Sequence, residues 1–266
     1  MSHQPLPPIA PLLELARAAG KEILSVYESD FAVQHKDDDS PLTQADLASH
    51  NTIVNGLAAL TPEIPVLSEE SAQIPFEERQ TWERYWLVDP LDGTREFVKR
   101  NGEFTVNIAL VEGDKTPLGV VYAPVLGLMY YGRAGDGAFK QYDGKPVEPI
   151  HATTTAQKPL RVVGSRSHRG ASLDAFLAQV GEHELVSMGS SLKLCLVADG
   201  TADIYPRLGP TSEWDTAAAQ AVVEQAGGRV TTTDMQGLRY NTKESLLNPH
   251  FLVFGDLSAD WTRFLT

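Results

Sequence analysis

The chain has 266 residues, 42% of them apolar and 21% charged, enough to bury a large core as one big domain or two packed halves. Its 35 acidic against 22 basic side chains give a formal charge of −13. That balance argues against nucleic-acid polymers and anionic membranes as partners, and an acidic protein acting on phosphates needs metal cations, a local basic patch, or both. Cys195 is the only cysteine, so an internal disulfide and a thiolate zinc cluster are excluded and a cytoplasmic, buried thiol is expected. The proline-rich start lacks the pattern of a signal peptide, and no run of apolar residues is long enough to span a membrane.

In chain order, the spacing of Leu12, Leu15, Ala16, Ala19, Ile23 and Val26 predicts a helix over 12–27. A short strand at 31–34 leads into the acidic turn Asp37-Asp38-Asp39-Ser40-Pro41. A second helix is predicted from Thr43 as N-cap, with Leu47, Ile53, Val54 and Leu57 facing inward. Strands follow at 65–67, 85–88, 105–111, 119–122 and 129–132, and Gly and Pro signals separate the last three as in an antiparallel meander. From about Pro159 strands and helices alternate: 161–163, 172–180, 185–186, 191–198, 202–205 and 212–227. That rhythm predicts an α/β half with parallel pairing, and His151 to Lys158 is the boundary expected between a 1–155 α+β domain and a 156–266 α/β domain.

The densest chemistry lies in Trp86-Leu87-Val88-Asp89-Pro90-Leu91-Asp92-Gly93-Thr94. An apolar run delivers Asp89 and Asp92 to one turn, close enough to face one cation. Pro90 favours an extended Asp89, and Gly93 frees the backbone to turn sharply or approach a ligand. A helix beginning near Thr94 would present amides to a phosphate. Carboxylates for Mg²⁺, amides for phosphate and a hydroxyl for water together make a phosphate-ester hydrolysis site. A calcium loop is excluded, since Leu91 and Thr94 stand where it needs an acidic or amide residue and a glycine. No Walker A pattern is present.

Five other segments read two ways. Ser68-Glu69-Glu70 after a strand is either a surface turn or a further carboxylate source. Ser212 with Asp215 fits a capping box, yet Asp215 could also reach a metal and Trp214 could lie on a flat ligand. Thr43 and Asp46 raise the same choice, with Asp46 as an acceptor for a hydroxyl or water. Ser165-Arg166-Ser167-His168 and Gly189-Ser190-Ser191-Leu192-Lys193 are helix starts that could cradle a second phosphate. The remaining histidines show no metal spacing.

Taken together, Ser40 to Asp46, Ser68 to Glu70, Trp86 to Thr94 and Glu213 to Ala218 resemble the lithium-sensitive, magnesium-dependent phosphatase superfamily of inositol monophosphatase and fructose bisphosphatase. Within it, the Ser165, Gly189 and Gly209-Pro210-Thr211-Ser212 segments resemble bacterial 3'(2'),5'-bisphosphate nucleotidases of the CysQ type. The resemblance implies a five-layered αβαβα sugar-phosphatase fold and conversion of adenosine 3',5'-bisphosphate to AMP, linked to sulfate assimilation. It assigns one Mg²⁺ to Glu69, Asp89 and the Leu91 carbonyl, and a second to Asp89, Asp92 and Asp215. A third, weaker ion would lie beside Glu69. Asp46, Thr94 and Glu69 form the catalytic set, with Thr94 and Asp46 orienting the attacking water. Leu91, Asp92, Gly93, Thr94 and Asp215 form the phosphate side of the substrate site, and Ser165, Arg166, Ser190, Ser191 and Lys193 the nucleotide side. It also implies a monomer in the cytoplasm, with bacterial members described as loosely held on the inner membrane's cytoplasmic face. Ser68 stands where many relatives have Gly, a departure that favours the nucleotidase branch.

Two other readings are open. One keeps the chemistry and makes the substrate an inositol or other sugar phosphate. The other is a non-catalytic metal- or ligand-binding protein, which would need the carboxylates but neither Thr94 nor Asp46.

Overall fold

The computed structural model describes residues 5–29, 41–165 and 170–265. Helices α1 (Ile9–Tyr27) and α2 (Pro41–Leu60) precede strand β1 (Val66–Ser68), the one-turn helix α3 (Phe76–Arg79), strand β2 (Arg84–Asp92) and helix α4 (Thr94–Val98). A run of strands follows: β3 (Thr105–Glu112), β4 (Lys115–Ala123), β5 (Leu128–Arg133), β6 (Gly137–Tyr142) and β7 (Glu148–Pro149). The chain then alternates through β8 (Leu160–Ser165), α5 (Ala171–Val180), β9 (His183–Met188), α6 (Leu192–Ala198), β10 (Ile204–Arg207) and α7 (Glu213–Gln225). It closes with β11 (Arg229–Thr232) and β12 (Phe251–Phe254).

Two sheets result. The first runs β1-β2-β3-β4-β5-β6-β7, parallel between β1 and β2 and antiparallel after that, so the expected meander extends by two strands. The second runs β11-β12-β10-β8-β9, with β8, β9 and β10 parallel as expected and β12 antiparallel to both its neighbours.

Period-two alternation along β2 and β3 builds the layers. Trp86, Val88, Val106, Ile108 and Leu110 face α1 and α2, where they bury Leu12, Ala16, Ile23, Ile53 and Leu57. Tyr85, Leu87, Ala109 and Val111 face the other way, onto α6, α7 and the inner face of the second sheet through Val163, Tyr205, Phe251 and Val253. Phe176 and Leu177 of α5 cover that sheet's outer face against Val162, Ile204 and Leu252. The order is therefore αβαβα. Helix α7 lies close on the first sheet because its inner face is nearly all alanine and the strands beneath carry glycine. A Cβ on Gly119 would sit 2.2 Å from the Ala218 carbonyl oxygen, and one on Gly132 would sit 2.8 Å from that of Ala221.

Several expectations are corrected. Helix α2 begins at Pro41, a residue suited to a first helical turn, so Thr43 lies inside the helix and is not its N-cap. Leu47 is 42% exposed, while Ala45, Asp46 and Ser49 are buried. The polar end of α2 turns inward because it faces the carboxylate turns rather than the core. Strands β6, β7, β11 and β12 are found where none was expected. The strand expected at 31–34 and the acidic turn after it lie outside the described residues. Cys195 is buried as expected, and burial pushes its thiol pKa up.

Candidate active site

Strand β2 carries its apolar alternation to the layer edge and there loses register with β3 between Asp89 and Asp92. Gly93 follows with φ 97°, a left-handed conformation that favours glycine, and caps α4. The turn is set by its own acid, since Leu91 N–H donates to Asp89 Oδ1 at 3.1 Å. Helix α2 pins it from behind. Ser49 Oγ donates to the Pro90 carbonyl at 2.8 Å, and on the next residue His50 Nδ1 shares a 2.8 Å hydrogen bond with Ser68 Oγ at the tip of β1. One turn of α2 thus holds both strand ends that deliver acids. Glu69 follows Ser68 in a half-buried 3-10 turn, while Glu70 is exposed.

Asp215 arrives from the opposite side on α7. Its capping box is real: Ser212 N–H donates to Asp215 Oδ2 at 2.9 Å. Cap and candidate ligand are therefore the same residue. Oxygens of Asp89, Asp92 and Asp215 all lie within 4.8 Å of one another. Asp92 is tied to the C-terminal half by a Ser191 N–H···Oδ2 bond of 2.6 Å, a charge-assisted contact worth about 1.5–3 kcal/mol. Ser191 Oγ in turn donates to Asn107 Oδ1 at 2.8 Å and lies 2.8 Å from Thr105 Oγ1 on β3.

Packing acids this tightly has an electrostatic cost. Burial, then the charges of Glu69, Asp92, Asp215 and Asp46, raise the Asp89 pKa well above the carboxylate range. Burial also raises Asp92, against the opposing effect of Lys193. Burial and the Asp92 charge push Asp215 up to about 7. A cation among these oxygens would reverse every one of those shifts, and a donor set of hard carboxylates suits Mg²⁺, Mn²⁺ or Ca²⁺ rather than a soft metal. The residues present fit a metal ion.

The cavity over this cluster encloses about 240 Å³. Glu69, Asp89, Leu91, Asp92, Gly93, Thr94, Ser165, Ser190, Ser191, Lys193 and Asp215 all line it, so eleven expected site residues from both halves converge. Asp46 stands behind, buried on α2, where its charge bears on Asp89. Arg166 lies outside the described residues. Lys193 is buried, its Nζ donates to the Ser190 carbonyl, and burial lowers its pKa to about 8. Ser190 adopts φ 44°, an uncommon backbone for a side chain with a Cβ, of the kind found at ligand sites.

Two findings differ from expectation. Trp214 packs against the inter-sheet core and does not line the cavity. Its neighbour Glu213 is fully buried and accepts from Asn241 N–H at 2.9 Å. Arg207, at the end of β10, lines the cavity and went unnoticed in the sequence. The available signal was its place between a strand and the Gly209-Pro210 turn that leads to Asp215.

The model of the inositol monophosphatase family matches residues 7–257. The 3'(2'),5'-bisphosphate nucleotidase CysQ of Salmonella typhimurium is 54% identical over 242 residues, covering 90% of this chain and 96% of that protein. The enzyme of the same name from Escherichia coli K12 is 52% identical over the same span. Among solved structures, CysQ from Bacteroides thetaiotaomicron superposes with a TM-score of 0.83 at 41% identity, over 92% of this chain and 96% of that one. An inositol monophosphatase from Zymomonas mobilis, at 22% identity, shares the fold with a TM-score of 0.78. The chain belongs to the inositol monophosphatase family.

Proposed function

We propose that this protein is a 3'(2'),5'-bisphosphate nucleotidase, a phosphomonoesterase that cleaves the 3'-phosphate of adenosine 3',5'-bisphosphate to give AMP and phosphate. The observation that carries the reading is one cavity lined both by the acids Asp89, Asp92 and Asp215 and by a buried lysine, Lys193. A monophosphate of a neutral sugar needs only the acidic, metal-binding residues. A substrate with two phosphates needs both. The named CysQ relatives, at more than half identity across nearly all of this chain, favour the same substrate over an inositol phosphate.

The cofactor in this reading is Mg²⁺. Glu69, Asp89 and the Leu91 carbonyl would hold one ion, Asp89, Asp92 and Asp215 a second, and Glu69 would contribute to a weaker third. When bound, Mg²⁺ neutralises phosphate charge, lowers the pKa of water and stabilises the leaving 3'-oxygen. The protein's own share is positioning. Gly93 and Thr94, at the start of α4, bind the scissile phosphate. The Thr94 hydroxyl, with Asp46 behind the cluster, orients the attacking water. Ser165, Arg166, Ser190, Ser191 and Lys193 hold the rest of the nucleotide. We assign the 1–155 half most of the metal ligands and the 156–266 half the nucleotide loops and Asp215. We further read the protein as a lithium-sensitive cytoplasmic monomer serving sulfur metabolism. Among the described residues no helix is long and apolar enough to cross a membrane.

The test separates metal binding from catalysis. Asp92→Asn should fold, and its phosphate release should be abolished. Thr94→Ala should keep magnesium binding by calorimetry and lose turnover. A Thr94→Ala protein as active as the parent would contradict the assignment.

A further inference from the structure

We propose that Arg79, a residue that does not line the cavity, is a positioning residue: it sets Asp215 against Asp89 and Asp92 by pinning the loop that holds the start of α7. The inference rests on the metal reading above and adds to it a residue remote from the acids.

The acids come from two parts of the chain. Glu69, Asp89 and Asp92 lie at the ends of β1 and β2, and Asp215 lies in the first turn of α7. Mg²⁺ demands near-ideal octahedral geometry, so an ion shared between these parts requires them to be held in fixed register.

The start of α7 is held by the loop between β11 and β12. The Leu246 carbonyl accepts the Glu213 N–H at 2.8 Å, and Asn248 N–H donates to the Thr211 carbonyl at 2.8 Å. The Asn248 amide nitrogen adds bonds to the Ser212 carbonyl at 2.8 Å and to Thr216 Oγ1 at 3.0 Å. The buried Glu213 carboxylate accepts from Asn241 N–H at 2.9 Å. One loop, 241–248, thus grips the chain before and after Asp215.

Arg79 closes that loop onto the other part. It ends α3, between the Glu69 turn and β2, and is 2% exposed. Its guanidinium donates to three neutral oxygens of the loop: Asn241 Oδ1 at 2.6 Å, the Lys243 carbonyl at 3.1 Å and the Glu244 carbonyl. The Asn241 amide nitrogen returns a 2.6 Å bond to the Arg79 carbonyl. Burying a cation is costly unless its donors are met, and the rigid guanidinium fork is what reaches several acceptors at once. Asn241 suits its side of the pair, with φ 55°, a left-handed backbone that Asn adopts more readily than most residues. Two residues 162 positions apart therefore join the segment carrying Glu69, Asp89 and Asp92 to the helix start carrying Asp215.

A merely stabilising role competes, and magnesium separates the two. Asn241→Gly keeps the left-handed turn and the N–H to Glu213, and removes only the side-chain pair with Arg79. Arg79→Lys keeps charge and stem but loses the fork. Wild type, both variants and the double variant would be titrated with Mg²⁺ by calorimetry and melted in EDTA and in excess Mg²⁺. Phosphate release from adenosine 3',5'-bisphosphate would be followed across Mg²⁺ concentration. Asp203→Ala, which breaks a buried pair with Arg161, is the control for lost stability alone.

Each single variant is expected to bind Mg²⁺ about 10-fold or more weakly. Half-maximal activity should need correspondingly more Mg²⁺, the Tm gain from Mg²⁺ should shrink, and kcat should approach wild type once Mg²⁺ saturates. The double variant should bind about as weakly as Arg79→Lys, because both changes break one pair. Asp203→Ala should lower Tm and leave Mg²⁺ affinity unchanged. Variants that melt lower in EDTA yet bind Mg²⁺ like wild type would overturn the proposal, as would fully additive losses in the double variant. Asn241→Gly alone decides the question if Arg79→Lys does not fold. A wild type that binds no Mg²⁺ would instead overturn the metal reading beneath it, and shows before any variant is made.

Discussion

The acidic cluster should make the metal-free protein less stable as pH rises, and replacing one member should remove the effect. Asp215 offers the cleanest case, because Asn can still accept the Ser212 N–H and so keeps the α7 cap, whose loss would cost about 1 kcal/mol. Burial and Asp92 raise its folded pKa from 3.8 to about 7. The folded state therefore holds the proton more tightly than the unfolded chain does. The stabilisation is complete below about pH 4 and is lost progressively up to about pH 7. Three decades of proton affinity correspond to about 4 kcal/mol, and partial solvent contact brings the expected figure to about 2–4 kcal/mol. In EDTA, wild type minus Asp215→Asn should thus change by that amount between pH 4.5 and 8, with the variant more stable at pH 8 by roughly 4 °C or more in Tm. Magnesium should restore the wild type at pH 8 and leave the variant nearly unaffected, while phosphate release is lost in the variant. Parallel pH profiles for the two proteins, or a variant less stable at pH 8, would refute the reasoning.

Gly119→Ala should destabilise by about 1–3 kcal/mol, because the new methyl meets the Ala218 carbonyl at 2.2 Å and α7 must move; a melting curve at the wild-type Tm would show that the helix has room. Wild type should lose kcat/KM for the bisphosphate as Lys193 deprotonates through about pH 8, and Lys193→Met should raise KM at neutral pH and lack that alkaline limb. A variant retaining that alkaline limb would assign it to another group. Asp203→Ala should cost about 3 kcal/mol, or roughly 6–12 °C, at a residue that does not itself line the cavity. The fully buried carboxylate takes the Arg161 backbone N–H and two of its guanidinium nitrogens, and its removal leaves that cation unpaired. Denaturant unfolding gives the figure, and kcat should be unchanged under native conditions.

Much of the site was legible because its parts are local. The β2 turn states its chemistry in nine consecutive residues, and the structure brings Asp89, Asp92, Gly93 and Thr94 to one cavity edge. Asp215 was harder, since a capping box and a ligand make the same demand on sequence: an acid in the first helical turn. Only the fold shows that the capping residue also brings an oxygen within 4.8 Å of those of Asp89 and Asp92. Trp214 misled for a related reason. An aromatic beside a candidate ligand looks like a stacking platform, but on a helix consecutive residues point about 100° apart, and Trp214 turns to the core. Arg207 carries only a faint local mark, its place between a strand and the Gly209-Pro210 turn, because the residues that share the cavity with it come from distant segments. Among the elements, β6 and β11 were missed because glycine, lysine and threonine dilute their alternation, and β12 because four apolar residues alone decide nothing. Leu47 was placed inward by helical spacing, whereas the first turns of α2 face a polar site and bury Asp46 and Ser49 instead.

The central claim is the substrate and its metal dependence, and one assay addresses both most directly. Purified protein would be given adenosine 3',5'-bisphosphate or inositol 1-phosphate with Mg²⁺, with EDTA as control, and released phosphate measured. The expected result is strong preference for the bisphosphate and no release in EDTA. Preference for the inositol ester would move the substrate while leaving the acidic cluster its role, and release that persists in EDTA would contradict the role given to Asp89, Asp92 and Asp215.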